Sequence, residues 1–158
     1  MITLKEAKQK DMNNIYKIQK LAFKNLFEKY QDQDSPFNEK ESSLIEKFNR
    51  PNNYFLLIKE ESIVIGYIRI ITNETGTAAS LSQIALNPKY DGLGYGTKAM
   101  NLLEKEYPKI MNWSLGTILQ EEKLIHFYSK LNYKETGDIV NIQENMDIIF
   151  FLKKRVDC

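Results

Sequence analysis

Three glycines at alternate positions, Gly92, Gly94 and Gly96, separate a strand-like run (80–86) from a helix-like run (97–107). A strand, a glycine turn and a helix start leave main-chain N–H groups bare where something can approach them. The first four N–H groups of any helix lack an internal partner, and the macrodipole adds roughly half a positive charge there. The segment Asn87-Pro88-Lys89-Tyr90-Asp91-Gly92-Leu93-Gly94-Tyr95-Gly96-Thr97 therefore describes an anion site, most often one for phosphate. A glycine-rich turn that binds nothing is the alternative, and the fitting elements on both sides weigh against it.

The remaining composition removes several classes. With 158 residues the chain suits one domain that can bury a core without staples. Its 22 basic and 21 acidic residues nearly cancel, so net charge points neither to nucleic acid nor to a membrane surface. The lone cysteine, Cys158, is the last residue; it builds no disulfide framework or metal-ligand pair, and chain ends make poor homes for a nucleophile. The first twenty residues carry Lys5, Lys8, Lys10 and Asp11 and no apolar core, so no signal peptide is expected. No apolar run nears the ~20 residues of a membrane span. A cytoplasmic protein is expected.

Along the chain, Ile2-Thr3-Leu4 alternates as a short strand. Met12, Ile15, Ile18, Ala22, Phe23 and Leu26 recur at helical spacing, which predicts a helix from an Asp11 N-cap to about Phe27. A polar connection, 31–36, leads to a second helix from near Asn38 with Leu44, Ile45 and Phe48 inward. Runs 54–59 and 63–72 read as a hairpin, and 78–86 as a fourth strand. After the glycine loop come a helix ended by Pro108, a strand within 113–119 and a helix over 121–131. A short strand at 133–136 and one at 146–152 follow, the last apolar on both faces and so internal to a sheet. Lys153-Lys154-Arg155 solvates its end.

This order of elements resembles the GNAT superfamily of N-acetyltransferases over the whole chain. Its pyrophosphate loop, Gln/Arg-x-x-Gly-x-Gly/Ala preceded by Pro, is similar to Pro88 followed by Asp91-Gly92-Leu93-Gly94-Tyr95-Gly96. Its later signature, a helical Tyr shortly before Leu-Gly-Phe, is similar to Tyr128-Ser129-Lys130-Leu131-Asn132-Tyr133. Residues 113–121 also resemble a bacterial branch of the superfamily. The resemblance implies a mixed α/β fold with a twisted, mostly antiparallel seven-stranded sheet flanked by four helices. The implied activity is acetyl transfer from acetyl-CoA to an amine, with no metal. Three positions depart from the pattern. Asp91 replaces Gln or Arg and would repel a pyrophosphate unless it points away or Lys89 or Lys98 offsets it. Glu121-Glu122-Lys123 replaces an Asn at the fourth helix, and Asn132 replaces Gly where φ > 0 is needed.

Roles follow from the resemblance. Main-chain groups of Ile84, Ala85 and Leu86, on a strand edge opened toward the fifth strand, would pair with the pantetheine amides as an added strand does. An N–H near Ile84 or Ala85 would also suit the oxyanion. The N–H groups of Gly92, Leu93, Gly94, Tyr95, Gly96 and Thr97 would hold the pyrophosphate. Tyr128 is expected to be the general acid that returns a proton to the leaving thiolate, its pKa of about 10 standing above the ~8.5 of a thiol. A core tyrosine is the other reading. No general base is legible: Glu121 and Glu122 suit a helix start, Gln83 could orient a water, and His126 faces elsewhere. Asp32 and Asp34 could attract the acceptor, a small-molecule or peptide amine, or could simply be a solvated loop. Monomer and homodimer are both compatible.

Two other functions fit parts of the pattern. Gly94-x-Gly96-x-x-Ala99 matches a dinucleotide fingerprint, but the next strand ends in Gly116 and Thr117 with no acid for a ribose, and about 60 residues remain, too few for that fold's second half. A non-catalytic acyl-CoA-binding regulatory module would keep the glycine loop and need no working Tyr128.

Overall fold

The computed structural model describes residues 1–155, so Cys158 lies outside the described residues. Strands β1 (Ile2–Glu6), β2 (Asn53–Glu60), β3 (Ile63–Thr72), β4 (Ala78–Leu86), β5 (Asn112–Ile118), β6 (Lys134–Gln143) and β7 (Met146–Lys154) form one sheet in the order β1-β2-β3-β4-β5-β7-β6. Every pairing is antiparallel except β4 with β5. Helices α1 (Met12–Tyr30), α2 (Glu41–Phe48), α3 (Tyr95–Glu106) and α4 (Glu122–Lys130) cover it. The expected mixed α/β architecture is the observed one, with β7 internal between β5 and β6.

Side chains alternate across a strand, and the central strands are apolar on both faces. Phe55 and Leu57 of β2, with Tyr67 and Ala85, pack against Met12, Ile15, Ile18 and Leu44 of α1 and α2. Their neighbours Leu56, Ile58, Ile68, Ile70 and Leu81 point the other way, onto Ala99, Met100 and Leu103 of α3 and Tyr128 of α4. Each large apolar side chain so buried contributes roughly 1.5–3 kcal/mol. Two cores thus sandwich the sheet, and β4 belongs to both.

Several boundaries differ from the sequence reading, each for a local reason. Asp11 precedes α1, but its Oδ2 accepts from the N–H of Lys8 at 2.8 Å, closing the preceding turn rather than capping the helix. Residues Pro36–Asn38 form a separate 3-10 turn capped by Ser35, so α2 begins at Glu41 instead of near Asn38. The sixth strand is ten residues long, not four. Ile139, Val140 and Ile142 are exposed on this edge strand, and Gly137 at φ +95° breaks its register, so no half-buried alternation marks it.

Gly66 of β3 lies where a side chain has no room. A Cβ there would sit 2.3 Å from the carbonyl oxygen of Ala85 in β4. Gly66→Ala should therefore destabilise the protein by about 1–3 kcal/mol in urea unfolding. An unchanged midpoint would show that β3 and β4 can separate freely.

Candidate active site

The parallel pairing of β4 with β5 lasts three residues, Ala78, Ala79 and Ser80 opposite Asn112, Trp113 and Ser114. Its last rung is a 3.1 Å hydrogen bond between the hydroxyls of Ser80 and Ser114. Beyond it the strands part. On the β3 side, Ile70 faces Leu81 while Arg69 faces Gln83, so Ser82 is an extra, bulged residue. A bulge bends its strand and increases the local twist, and here it turns β4 away from β5. A cavity of about 450 Å³ opens at the fork, lined by Ser80, Ser82, Ser114, Gly116 and Phe150 among others.

The free edge of β4 has a definite polarity. Asn87 N–H donates to Ile65 carbonyl at 2.7 Å, and Leu86 stands opposite Gly66. Main-chain groups alternate along an antiparallel pair. Ala85 therefore turns its N–H and C=O to β3, whereas Ile84 and Leu86 turn theirs toward the opening.

Past β4, Asn87 caps a 3-10 turn over Pro88–Tyr90, its side chain accepting from Lys89 N–H at 3.2 Å. The next bonded N–H after that turn is that of Lys98, to the carbonyl of Gly94. Among the described residues, no hydrogen bond engages the N–H of Gly92, Leu93, Gly94, Tyr95, Gly96 or Thr97. Gly92 (φ +76°) and Gly94 (φ +79°) hold the left-handed turns that allow this. Gly96 serves a different purpose: it sits in the first turn of α3, and a Cβ there would come 3.3 Å from the ring of Phe127 in α4. The first turn of α3 has no acidic side chain. Asp91 pairs with no cation among the described residues, and partial burial raises its pKa. Lys89 and Lys98 lie over the rings of Tyr90 and Tyr95.

The close approach of Phe127 to Gly96 brings Tyr128 to the same end of the sheet. The C-terminus of α4 is a Schellman turn: Tyr133 N–H bonds Tyr128 carbonyl, Asn132 N–H bonds Ser129 carbonyl, and Asn132 takes φ +71°. The ring of Tyr128 packs edge-on against Phe127 and Tyr133, centroids 5.0 and 6.0 Å away, and is 7% exposed. Burial pushes its pKa up to about 12. No hydrogen bond engages its hydroxyl among the described residues. His126 is exposed.

Glu121 joins the two helical layers. Its carboxylate accepts from Lys29 at 2.6 Å and from Tyr30 at 2.5 Å, at the end of α1. Burial acts to raise its pKa, but the hydrogen bonds from Lys29 and Tyr30 outweigh that and hold it below the ordinary 4.5.

On the α1–α2 side of the sheet, a second cavity of about 350 Å³ is lined by Asp34, Glu39, Lys47, Arg69, Ser82 and Gln83 among others. Ser82 borders both cavities. Of the two aspartates singled out in the sequence, Asp34 lines this space, while Asp32 closes the turn by accepting from Asp34 N–H at 3.1 Å. Glu39 and Arg69 had no local signature. Glu39 pairs with Lys47 and accepts from Gln19 at 2.9 Å. Gln83 is held by Tyr67, whose hydroxyl lies 2.8 Å from its Oε1 and 3.0 Å from Gln19 Oε1.

The model of the acetyltransferase (GNAT) family matches residues 12–133, and the chain belongs to that family; it is an N-acetyltransferase. No curated protein is significantly similar in sequence. Among solved structures, an acetyltransferase from Thermus thermophilus superposes with a TM-score of 0.78 at 11% identity, over 98% of this chain and 97% of that one. The ribosomal-protein-S18-alanine N-acetyltransferase of Escherichia coli gives 0.78 at 17% identity, over 98% and 94%. A spermidine N-acetyltransferase from Vibrio cholerae, in complex with CoA and spermine, gives 0.77 at 17%, over 97% and 95%. At such identities the likeness is one of fold. Among the described residues, no helix is long and apolar enough to cross a membrane, and no group of three or more His, Cys, Asp or Glu could hold a metal ion.

The Glu121 carboxylate has a lower pKa folded than unfolded. Its stabilisation is therefore present above the unfolded value and is lost as pH falls through the folded one. Glu121→Gln should flatten the acid limb of the stability curve below about pH 5 in urea unfolding. An acid limb of unchanged slope would remove Glu121 from the tie between α1 and α4.

Proposed function

We propose that this N-acetyltransferase takes its acetyl group from acetyl-CoA and passes it by direct attack to a primary amine of a small molecule or peptide. The observation that carries this reading is the run of six N–H groups, Gly92 to Thr97, that are free among the described residues, next to a β4 edge that no described strand covers past Ser80. The run suits a pyrophosphate, combining successive amides with a helix N-terminus. The outward groups of Ile84 and Leu86 suit the amides of an extended pantetheine arm, which adds to the edge as a strand would. An outward N–H there also suits the negative oxygen that develops when an amine attacks a thioester.

Tyr128 is the proposed proton donor to the departing sulfur, and its environment alters the expected chemistry. A phenol with pKa about 12 is a weaker acid than a thiol near 8.5, and even the ordinary value of 10 has the wrong order for an unaided transfer. A complete transfer from phenol to thiolate runs uphill by about 3.5 units, roughly 5 kcal/mol. The step becomes favourable when the phenol regains a proton from the ammonium formed at the attacking nitrogen. Tyr128 then acts as a relay, losing one proton to sulfur and taking another from nitrogen.

Tyr128→Phe removes the relay and little packing. Its kcat, followed as thiol release from acetyl-CoA with an acceptor present, should fall about a hundredfold or more, while acetyl-CoA affinity by calorimetry stays within about twofold. Unchanged turnover would defeat the role of Tyr128. A Gly94→Ala variant tests the loop separately, because it strains a left-handed position by about 1–2 kcal/mol and should weaken CoA binding. CoA binding equal to wild type in that variant would count against the loop.

A further inference from the structure

Arg69 is 6% exposed and has no carboxylate partner among the described residues. Its Nε and Nη2 both donate to Asn53 Oδ1, at 3.2 and 2.6 Å, and Nη1 reaches Ser82 Oγ at 3.4 Å. Both partners are neutral. A guanidinium has five donors, so two remain unengaged. The group also lies over the ring of Phe55, centroid 5.6 Å away. Buried charges are ordinarily paired, because desolvation of a lone ion is costly. Burial here presses the pKa of Arg69 downward, yet a guanidinium stays protonated.

Arg69 lines the 350 Å³ cavity. It stands directly across from Gln83 on β4, one residue before Ile84 on the opened edge. Asp34 and Glu39 line the same cavity from the α1–α2 connection, and Lys47 from α2. Two carboxylates and two cations leave the space without net charge. Glu39 and Lys47 neutralise one another, so a carboxylate, Asp34, and a guanidinium, Arg69, are left for a ligand.

We propose that this cavity receives the acceptor, and that the acceptor is zwitterionic: an amino acid, or an amine of similar size bearing a carboxylate. The carboxylate meets the unengaged donors of Arg69, for which planar oxygen pairs are the natural partner. The ammonium side faces Asp34 before it loses its proton. A wholly cationic polyamine could meet Asp34 but would bring no anion of its own to Arg69, against which its positive charge would stand. This inference rests on the acetyl-transfer reading and specifies its acceptor.

Matched probes test it: L-lysine, L-lysinamide, cadaverine and spermidine, each with acetyl-CoA while free thiol is followed. The amino acid should be used with a kcat/KM roughly ten- to a hundredfold above its amide and its decarboxylated amine, the worth of a charge-assisted hydrogen bond. Arg69→Gln should level the series, and Arg69→Lys should keep part of the preference. In parallel, the same compounds are titrated calorimetrically into the CoA-saturated wild-type protein, which needs neither turnover nor a variant that folds. Tighter binding of lysine than of lysinamide supports the proposal. Equal binding, no binding of any probe, or a preference for spermidine overturns it. Thiol release with equal rates for all four sinks the zwitterion while leaving acetyl transfer standing; lysine-selective binding without release would do the reverse.

Discussion

The parting of β4 from β5 is the event on which the site depends. In a closed sheet the outward groups of Ile84 and Leu86 would be satisfied by β5, and the strand could hold nothing else. One extra residue at Ser82 turns the strand away after the Ser80–Ser114 rung, and β5 continues along β7 instead. The same divergence delivers the chain to the glycine turn at the C-terminal end of β4. The turn then leaves its own N–H groups unbonded. Unsatisfied donors of two kinds, from a strand edge and from a helix start, thereby follow one another along the chain. Main-chain polar groups seldom go unpaired in quantity unless water or a ligand completes them.

The two faces of the sheet divide the work. The α3–α4 face carries the glycine loop and Tyr128, locked together where Phe127 fills the space left by Gly96. The α1–α2 face carries the mixed-charge cavity, whose polar side chains are cross-braced: Tyr67 to Gln83, Gln19 to Glu39, Arg69 to Asn53 and Ser82. Bracing of this sort holds side chains still before a ligand arrives, which lowers the cost of ordering them. Strand β4 shows Gln83 to one face and Ile84 to the other. Glu121 ties the faces at their far corner by binding the end of α1 from the start of α4.

How much of this could be read in advance follows from how local each signal is. The glycine loop was legible because positive φ and a helix start are written in adjacent residues. So was the Asn132 turn after α4, where Asn is the best substitute for Gly. Strands β2, β3, β4 and β7 announced themselves through apolar runs. Strand β6 showed only its first residues, because the rest of an edge strand with no buried face lacks the alternation that marks strands. The packing purpose of Gly96 is illegible for a related reason: its neighbour Phe127 is remote in sequence. Glu39 and Arg69 are thirty positions apart and enter one cavity only because the α1–α2 connection packs over β3. Their types are ordinary surface types, and nothing local says that Arg69 is buried. Asp32 and Asp34, close together and both acidic, look equivalent in sequence, yet backbone geometry gives one to the turn and the other to the cavity.

Two paired carboxylates, Glu121 and Glu39, also bear on how a proton would leave the amine in the proposed reaction. Glu121 is held ionised by Lys29 and Tyr30, with a pKa below its ordinary value, and so has little appetite for a proton at neutral pH. Glu39 is occupied by Lys47 and Gln19. With both committed and Asp34 left to face the ammonium form, the proposed reaction begins once the amine is neutral: it attacks, and only then becomes acidic as an ammonium. At that moment nitrogen has a proton to lose and sulfur lacks one, so the two needs cancel if a single group spans them. The buried phenol of Tyr128, too weak an acid to protonate sulfur unaided, is suited to that exchange because it begins and ends protonated.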